Sequence, residues 1–126
     1  MWKRNAVTYL ESQAQRFPCV CILGARQVGK TTLAKMCFPD AAYYDLESPS
    51  VRERIALAPE SFLGAHRDGP IILDEIQALP DLLPVIKVVV DRNRSVTGRF
   101  ILLGSANLMA MKKISESLSG RIGFID

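Results

Sequence analysis

The stretch Cys19-Val20-Cys21-Ile22-Leu23-Gly24-Ala25-Arg26-Gln27-Val28-Gly29-Lys30-Thr31 decides how this chain is read. Its first five residues form a continuous apolar run, as expected of a strand covered on both faces. The run stops at Gly24, and a loop leads to a helix expected over residues 31–38, ended by Pro39-Asp40. From Gly24 to Thr31 the residues fit G-x-x-x-x-G-K-[ST] at every defined position. Gly24 lets the chain leave the strand sharply, and Gly29 permits close backbone approach to an anion. Successive backbone N–H groups form a concave anion nest, and the helix start adds partial positive charge. Lys30 offers a mobile ammonium to β- and γ-phosphates, and Thr31 offers a hydroxyl to Mg²⁺, a small, hard, oxygen-seeking ion. A glycine-rich turn with no ligand gives no reason for a lysine followed directly by Thr31 and Thr32 at a helix start. The candidate nucleotide-phosphate site is therefore Gly24, Ala25, Arg26, Gln27, Val28, Gly29, Lys30, Thr31 and Thr32, with Arg26 facing solvent or a partner rather than the phosphates.

Working outward, strands and helices alternate. Residues 3–16 carry Val7, Leu10 and Ala14 at helical spacing before Pro18. A second strand is expected over 42–46. Ser48-Pro49 reads as an N-cap and first-turn proline, opening a helix through about Ala58. Gly69-Pro70 precedes a third strand at 71–73, residues 82–92 have a helical pattern, and Val96-Thr97-Gly98 reads as a turn. A fourth strand at 100–103, a helix around 107–118 and a fifth strand at Ile122–Ile125 complete the series. Val85-Ile86-Lys87-Val88-Val89-Val90 is rich in β-formers, but the surrounding leucines favour a core-facing helix. The alternation predicts an α/β fold with a parallel sheet. Ligands of such sheets sit beyond the carboxyl ends of the strands, which places the chemistry just after Leu23, Leu46, Leu73 and Leu103.

Ile71-Ile72-Leu73-Asp74-Glu75 meets that demand with two carboxylates at the end of an apolar strand. Two such acids repel each other unless a cation compensates, and a metal–nucleotide site supplies one. In that reading Asp74 and Thr31 hold Mg²⁺, and Glu75 is the general base for an attacking water. The bland alternative has Asp74 capping the next segment and Glu75 solvated. Lys30 and Asp74 stand 44 positions apart, and the residues between them hold one strand and a helix. They leave room for a strand inserted between the phosphate-loop strand and the acidic strand. With Glu75 beside Asp74, this favours an ATPase of the additional-strand type over a GTPase or small-molecule kinase.

The fourth strand runs into Gly104-Ser105-Ala106-Asn107, where Ser105 or Asn107 could contact a γ-phosphate or orient the water, or simply cap the next helix. Arg121, before the fifth strand, carries the side chain best suited to developing phosphoryl charge and could reach a neighbouring subunit's nucleotide; otherwise it is a surface arginine. Asp45, at the mouth of the second strand, either lines the site or starts a turn. His66, the single histidine, lies in a polar loop without a second ligand nearby.

Composition sets the outer bounds. The chain has 126 residues, 48% of them hydrophobic and 23% charged, as in an ordinary folded domain, which excludes disordered, collagen-like and disulfide-stapled classes. The net charge of +3 permits nucleic-acid contact without arguing for it. Lys and Arg outnumber Asp and Glu by 8 to 6 in residues 1–63 and by 8 to 7 in residues 64–126, so no basic stripe is present. No run approaches the roughly 20 apolar residues of a membrane helix, and residues 1–5 lack the apolar stretch of a secretory signal. Cys19, Cys21 and Cys37 show no metal-ligand spacing; free, buried thiols suit a cytoplasmic location.

Taken together these residues resemble the AAA+ superfamily of P-loop ATPases, and within it a bacterial and archaeal group carrying GxRQVGKTTL, a Walker B strand ending DEIQ, a GS-containing sensor strand and an SLxGR segment. Here these motifs stand as residues 24–33, Asp74-Glu75-Ile76-Gln77, Gly104-Ser105-Ala106-Asn107 and Ser117-Leu118-Ser119-Gly120-Arg121. Tyr44-Asp45-Leu46-Glu47-Ser48-Pro49 and Leu82-Leu83-Pro84-Val85-Ile86-Lys87 add to the likeness. The resemblance implies a three-layer αβα sandwich over residues 1–126, with a five-strand parallel sheet. It implies ATP and Mg²⁺ as cofactors, phosphate contacts at the 24–31 loop, metal and base at Asp74 and Glu75, a sensor at Ser105 or Asn107, and an arginine finger at Arg121 acting in a homo-oligomer. It assigns no role to Gln77. Members of that group continue past the fifth strand, so the chain reads as an N-terminal piece whose last strand is cut short and whose C-terminal region is absent. The expected function is ATP hydrolysis driving a conformational change in an unidentified protein partner. The alternatives are a nucleotide-dependent binding module with little hydrolysis, and a DNA-linked ATPase.

Overall fold

The computed structural model describes residues 4–24, 29–66, 69–105 and 107–125. In chain order they form α1 (Arg4–Arg16), β1 (Cys19–Leu23), α2 (Lys30–Cys37), β2 (Ala42–Asp45), α3 (Pro49–Leu57), α4 (Pro59–Gly64), β3 (Ile71–Asp74), a short 3₁₀ turn (Ile76–Ala78), α5 (Leu82–Arg92), β4 (Phe100–Gly104), α6 (Leu108–Ser117) and β5 (Ile122–Ile125). All strand pairings are parallel, in the order β2-β3-β4-β1-β5.

A strand does stand between the phosphate-loop strand and the acidic strand. It is β4, which follows the acidic strand in sequence, whereas residues 42–45 take the outer edge beside β3. The sequence separation between Lys30 and Asp74 fits that topology, but it is the excursion after β3 that supplies the inserted strand.

Because β1, β3 and β4 are covered on both faces, every residue in them is buried. Alternate residues feed two cores. Cys19, Cys21, Leu23, Ile71, Leu73, Phe100 and Leu102 pack with Ile55, Leu63, Leu82, Ile86, Val89, Val90, Ile114 and Leu118 from α3 to α6 and the residue following α6. Val20, Ile22, Ile72, Ile101 and Leu103 pack with Leu10 and Ala14 of α1 and Leu33 and Ala34 of α2. The result is the expected three-layer arrangement. Each fully buried Leu or Ile contributes about 1.5–3 kcal/mol relative to exposure, and the interior strands share that stabilisation with the helices that cover them. Cys19 and Cys21 share one face as the alternation predicts, and burial pushes both thiols up to about 12.

The valine-rich stretch at 85–90 is helical, within α5, because Leu82, Leu83, Ile86, Val89 and Val90 recur at helical spacing and bury one face. The helix expected from Pro49 to about Ala58 ends at Leu57, and Pro59 opens a separate helix, α4. Ser48 stands at the N-cap of α3, but its hydroxyl pairs with that of Ser50 at 3.2 Å instead of capping the backbone. Among the described residues no helix is long and apolar enough to cross a membrane.

Candidate functional site

Parallel strands bring the carboxyl ends of β1, β2 and β3 to one edge, and the start of α2 to the same place. Gly29 adopts a left-handed conformation (φ 76°) that turns the chain into α2, with Lys30 and Thr31 in its first turn. Ala25, Arg26, Gln27 and Val28 lie outside the described residues. Lys30 is 4% exposed, and its Nζ donates to the Gly24 carbonyl at 3.0 Å. The ammonium therefore reaches from the start of α2 back to the residue that follows β1.

Asp74 ends β3 and is 7% exposed. Its Oδ2 accepts from two hydroxyls, Thr31 Oγ1 at 2.8 Å and Tyr43 Oη at 2.5 Å. The first joins residues 43 positions apart, the two that the sequence assigns to the metal. The second was not foreseen. Tyr43 belongs to β2, and the β2–β3 register, which sets Asp45 opposite Asp74, puts it on the α1–α2 face near the carboxyl end. Burial, followed by the bond to Asp74, holds the Tyr43 phenol well above its usual range, so it remains a donor. A signal existed in the sequence: in a strand Tyr43 shares a face with Asp45, which was itself a candidate.

Glu75 is 7% exposed and has a left-handed backbone (φ 57°), unlike any other non-glycine residue described. Such a conformation is uncommon for a side-chain-bearing residue and concentrates where the surroundings fix it for a function. Here it turns the chain from β3 into the 3₁₀ turn, so two adjacent acids leave the strand in different directions. Gln77, on that turn, donates from Nε2 to Glu75 Oε2 at 3.3 Å and to Ser105 Oγ at 3.4 Å. Ser105, just beyond β4, is thereby brought to the acidic pair.

Gly29, Lys30, Thr31, Thr32, Tyr43, Asp45, Glu47, Asp74 and Glu75 line a cavity of about 300 Å³. Among these described residues one cation faces four carboxylates, an imbalance that suits an added cation. The Thr31 hydroxyl and the Asp74 carboxylate are hard oxygen donors matched to Mg²⁺. No group of three or more His, Cys, Asp or Glu among the described residues forms a metal cage. Asp45 lines the cavity and starts a turn as well, its Oδ1 accepting from the Glu47 N–H at 3.0 Å.

Two candidates stand apart from this cluster. Asn107 caps α6, its Oδ1 accepting from the N–H groups of Met109 at 2.9 Å and Ala110 at 3.1 Å, so its side-chain oxygen is committed to the helix. Arg121 lies at the amino end of β5, its carbonyl accepting from the N–H of Cys19 at the start of β1. About 13 Å of strand separate it from the phosphate loop of its own chain. Its guanidinium pairs with both carboxylate oxygens of Asp91, at 2.7 and 3.0 Å, and with the Ser119 carbonyl at 2.6 Å. His66 joins Tyr44 and Phe62 in an aromatic cluster, with Nε2 2.8 Å from the Tyr44 hydroxyl and Nδ1 2.9 Å from the Phe62 carbonyl.

A family model described as an AAA domain matches residues 16–126. The chain belongs to the AAA family of nucleotide-binding ATPases. It is 37% identical over 126 residues to uncharacterized proteins of Mycobacterium bovis and Mycobacterium tuberculosis, with 98% of this chain matched. The chain spans 28% of the length of those curated relatives. Among solved structures it is similar to a DNA replication initiation factor, with a TM-score of 0.57 and 14% identity over 97% of this chain and 44% of that one. At that identity the likeness is one of fold. That likeness fits the five-strand parallel sheet flanked by helices.

Proposed function

We propose that this AAA domain binds ATP with Mg²⁺ in the cavity between β1, β2 and β3, hydrolyses it, and uses the change in occupancy to move a partner. The observation that carries the reading is the bond between Thr31 and Asp74, which joins the end of the phosphate loop to the acidic strand at 2.8 Å. Thr31 and Asp74 would hold Mg²⁺, which when bound supplies neutralisation of the β- and γ-phosphate charge. Lys30 exchanges the Gly24 carbonyl for phosphate oxygens. Glu75 accepts a proton from the attacking water, and its neighbour Ser105 donates to the γ-phosphate. Arg121 enters this reading only through a second copy, because its own nucleotide is at the other end of the sheet. The evenly spread charge gives a DNA-linked role no support.

The test is single-turnover hydrolysis with Glu75→Gln. Loss of a general base lowers the rate by about 10²–10⁴-fold while binding of the magnesium nucleotide persists. Equal rates in the wild type and the variant would leave a nucleotide-dependent binding module instead. An absence of magnesium-nucleotide binding in calorimetry of folded protein would remove both readings.

A further inference from the structure

Gln77 stands in the motif Asp74-Glu75-Ile76-Gln77, and the hydrolytic reading gives it no task. A carboxylate only accepts, so the group it presents to Glu75 is the NH₂, which fixes the orientation of the amide. The two protons of that NH₂ point one way to the base and the other way to Ser105. Both contacts are at the long end of hydrogen-bonding distance. The carbonyl Oε1 is buried and lacks a partner, alone in this among the buried side-chain polar atoms described. It lies against the end of β4: a Cβ at Gly104 would stand 3.1 Å from Oε1 and 3.3 Å from Ile76 Cγ2. The glycine there is what makes room for the amide. An unpaired buried carbonyl is costly, so a rearrangement that gives it a partner relieves a cost.

We propose that Gln77 is a positioning residue that ties Glu75 to Ser105 and releases the base when Ser105 engages the γ-phosphate. This rests on the hydrolytic reading. As an acceptor from Gln77, Ser105 Oγ keeps its own O–H for donation. Donation to a phosphate oxygen makes Oγ a stronger acceptor, because linked hydrogen bonds polarise one another. The Gln77–Ser105 bond then tightens and the Gln77–Glu75 bond loosens, leaving Glu75 Oε2 to accept from water. Only a nucleotide with a γ-phosphate does this, so the device distinguishes ATP from ADP at the base itself.

The side-chain NH₂ of Gln77 reports directly in ¹⁵N–¹H spectra of the labelled protein, assigned by its disappearance in Gln77→Ala. Without nucleotide, Glu75→Gln and Ser105→Ala are each expected to move it. A magnesium complex of a non-hydrolysable ATP analogue is expected to move it further, and Mg·ADP to leave it near its nucleotide-free position. In turnover, Gln77→Ala lowers kcat by about tenfold with KM little changed, and Gly104→Ala, which crowds Oε1, lowers kcat in the same direction but less. An NH₂ signal indifferent to Ser105→Ala and Glu75→Gln, or responding alike to ADP and the ATP analogue, overturns the proposal. So does a Gln77→Ala protein with wild-type kcat, in which case the hydrolytic reading survives. A wild type that neither binds nor turns over ATP overturns both. Should Gln77→Ala fail to fold, Ser105→Ala and Gly104→Ala keep Gln77 in place and decide the matter.

Discussion

At the amino ends of its strands the sheet is closed by backbone. The Gly98 N–H donates to the Phe17 carbonyl, Arg99 and Phe100 donate to Pro18, Ile71 to Arg99, Ala42 to Pro70 and Cys19 to Arg121. At the carboxyl ends one backbone bond, from the Leu46 N–H to the Asp74 carbonyl, is joined by side-chain ties: Lys30 on Gly24, Thr31 and Tyr43 on Asp74, Gln77 on Glu75 and Ser105. Backbone closure depends little on which residues are present and leaves nothing over for a ligand. Side-chain closure puts a lysine and two acids in a buried place, each at 7% exposure or less. Buried charge is costly unless paired, so this end is held ready for a charged ligand in a way the other is not. The asymmetry follows from the direction of a parallel sheet, which gathers the starts of the next helices at one edge only.

Lys30→Ala should strain that contrast most. It removes the single cation among the described residues lining the cavity and leaves four carboxylates there. We expect the affinity for the magnesium nucleotide, measured by calorimetry, to fall by about 10–100-fold, the equivalent of about 1.5–3 kcal/mol for hydrogen bonds to a charged group. An unchanged affinity would mean that the phosphate loop's amides suffice and that the lysine serves the loop alone.

Tyr43→Phe sharpens the comparison by deleting one oxygen. Asp74 keeps Thr31 and loses the other hydroxyl on Oδ2. A group that orients a metal-binding carboxylate contributes about tenfold to metal affinity, so the Mg²⁺ concentration needed for half-maximal nucleotide binding should rise by about that factor. Nucleotide binding without Mg²⁺ should stay as it was. If both fell together, Tyr43 would be supporting the cavity wall instead of the carboxylate.

How much of this was visible in the sequence differs between the same two ends. The segments that meet at the cavity could be picked out in the sequence because each depends on residue types at fixed spacing, as in Gly29-Lys30-Thr31 and Asp74-Glu75. The parallel sheet was legible because strand–helix alternation admits few topologies. Tyr43 was not, since a tyrosine in a strand looks like ordinary β-propensity until the β2–β3 register sets it beside Asp74. Gln77 has no task legible in the sequence because its partners, Glu75 and Ser105, follow different strands and come together only once β4 is next to β3. The break between α3 and α4 escaped because Ala58-Pro59 can extend a helical pattern or restart one. Asn107 carried two readings, and the cap geometry now accounts for its side-chain oxygen.

Arg121→Ala has the smallest expected effect and tests the amino end. The bidentate pair with Asp91 is partly exposed, 17% at the arginine and 36% at the aspartate, so solvent screening keeps its contribution to stability modest. Hydrogen bonding to Arg121 holds the Asp91 carboxyl below its ordinary 3.8. A carboxyl whose folded value is lowered stabilises above its unfolded value and loses that contribution as pH falls through the folded one. Thermal melts should therefore show a slightly lower Tm for Arg121→Ala at neutral pH, with the gap closing as the pH is taken below 3.8. In dilute solution the nucleotide affinity should match the wild type within about twofold, since distant sites without shared partners act independently. Turnover separates the two roles open to this arginine. If copies assemble so that Arg121 meets a neighbour's phosphates, the wild-type rate per chain rises with protein concentration and the variant's does not. If both rates are flat, the pair with Asp91 is the whole of its work, and the amino end of the sheet is structural throughout.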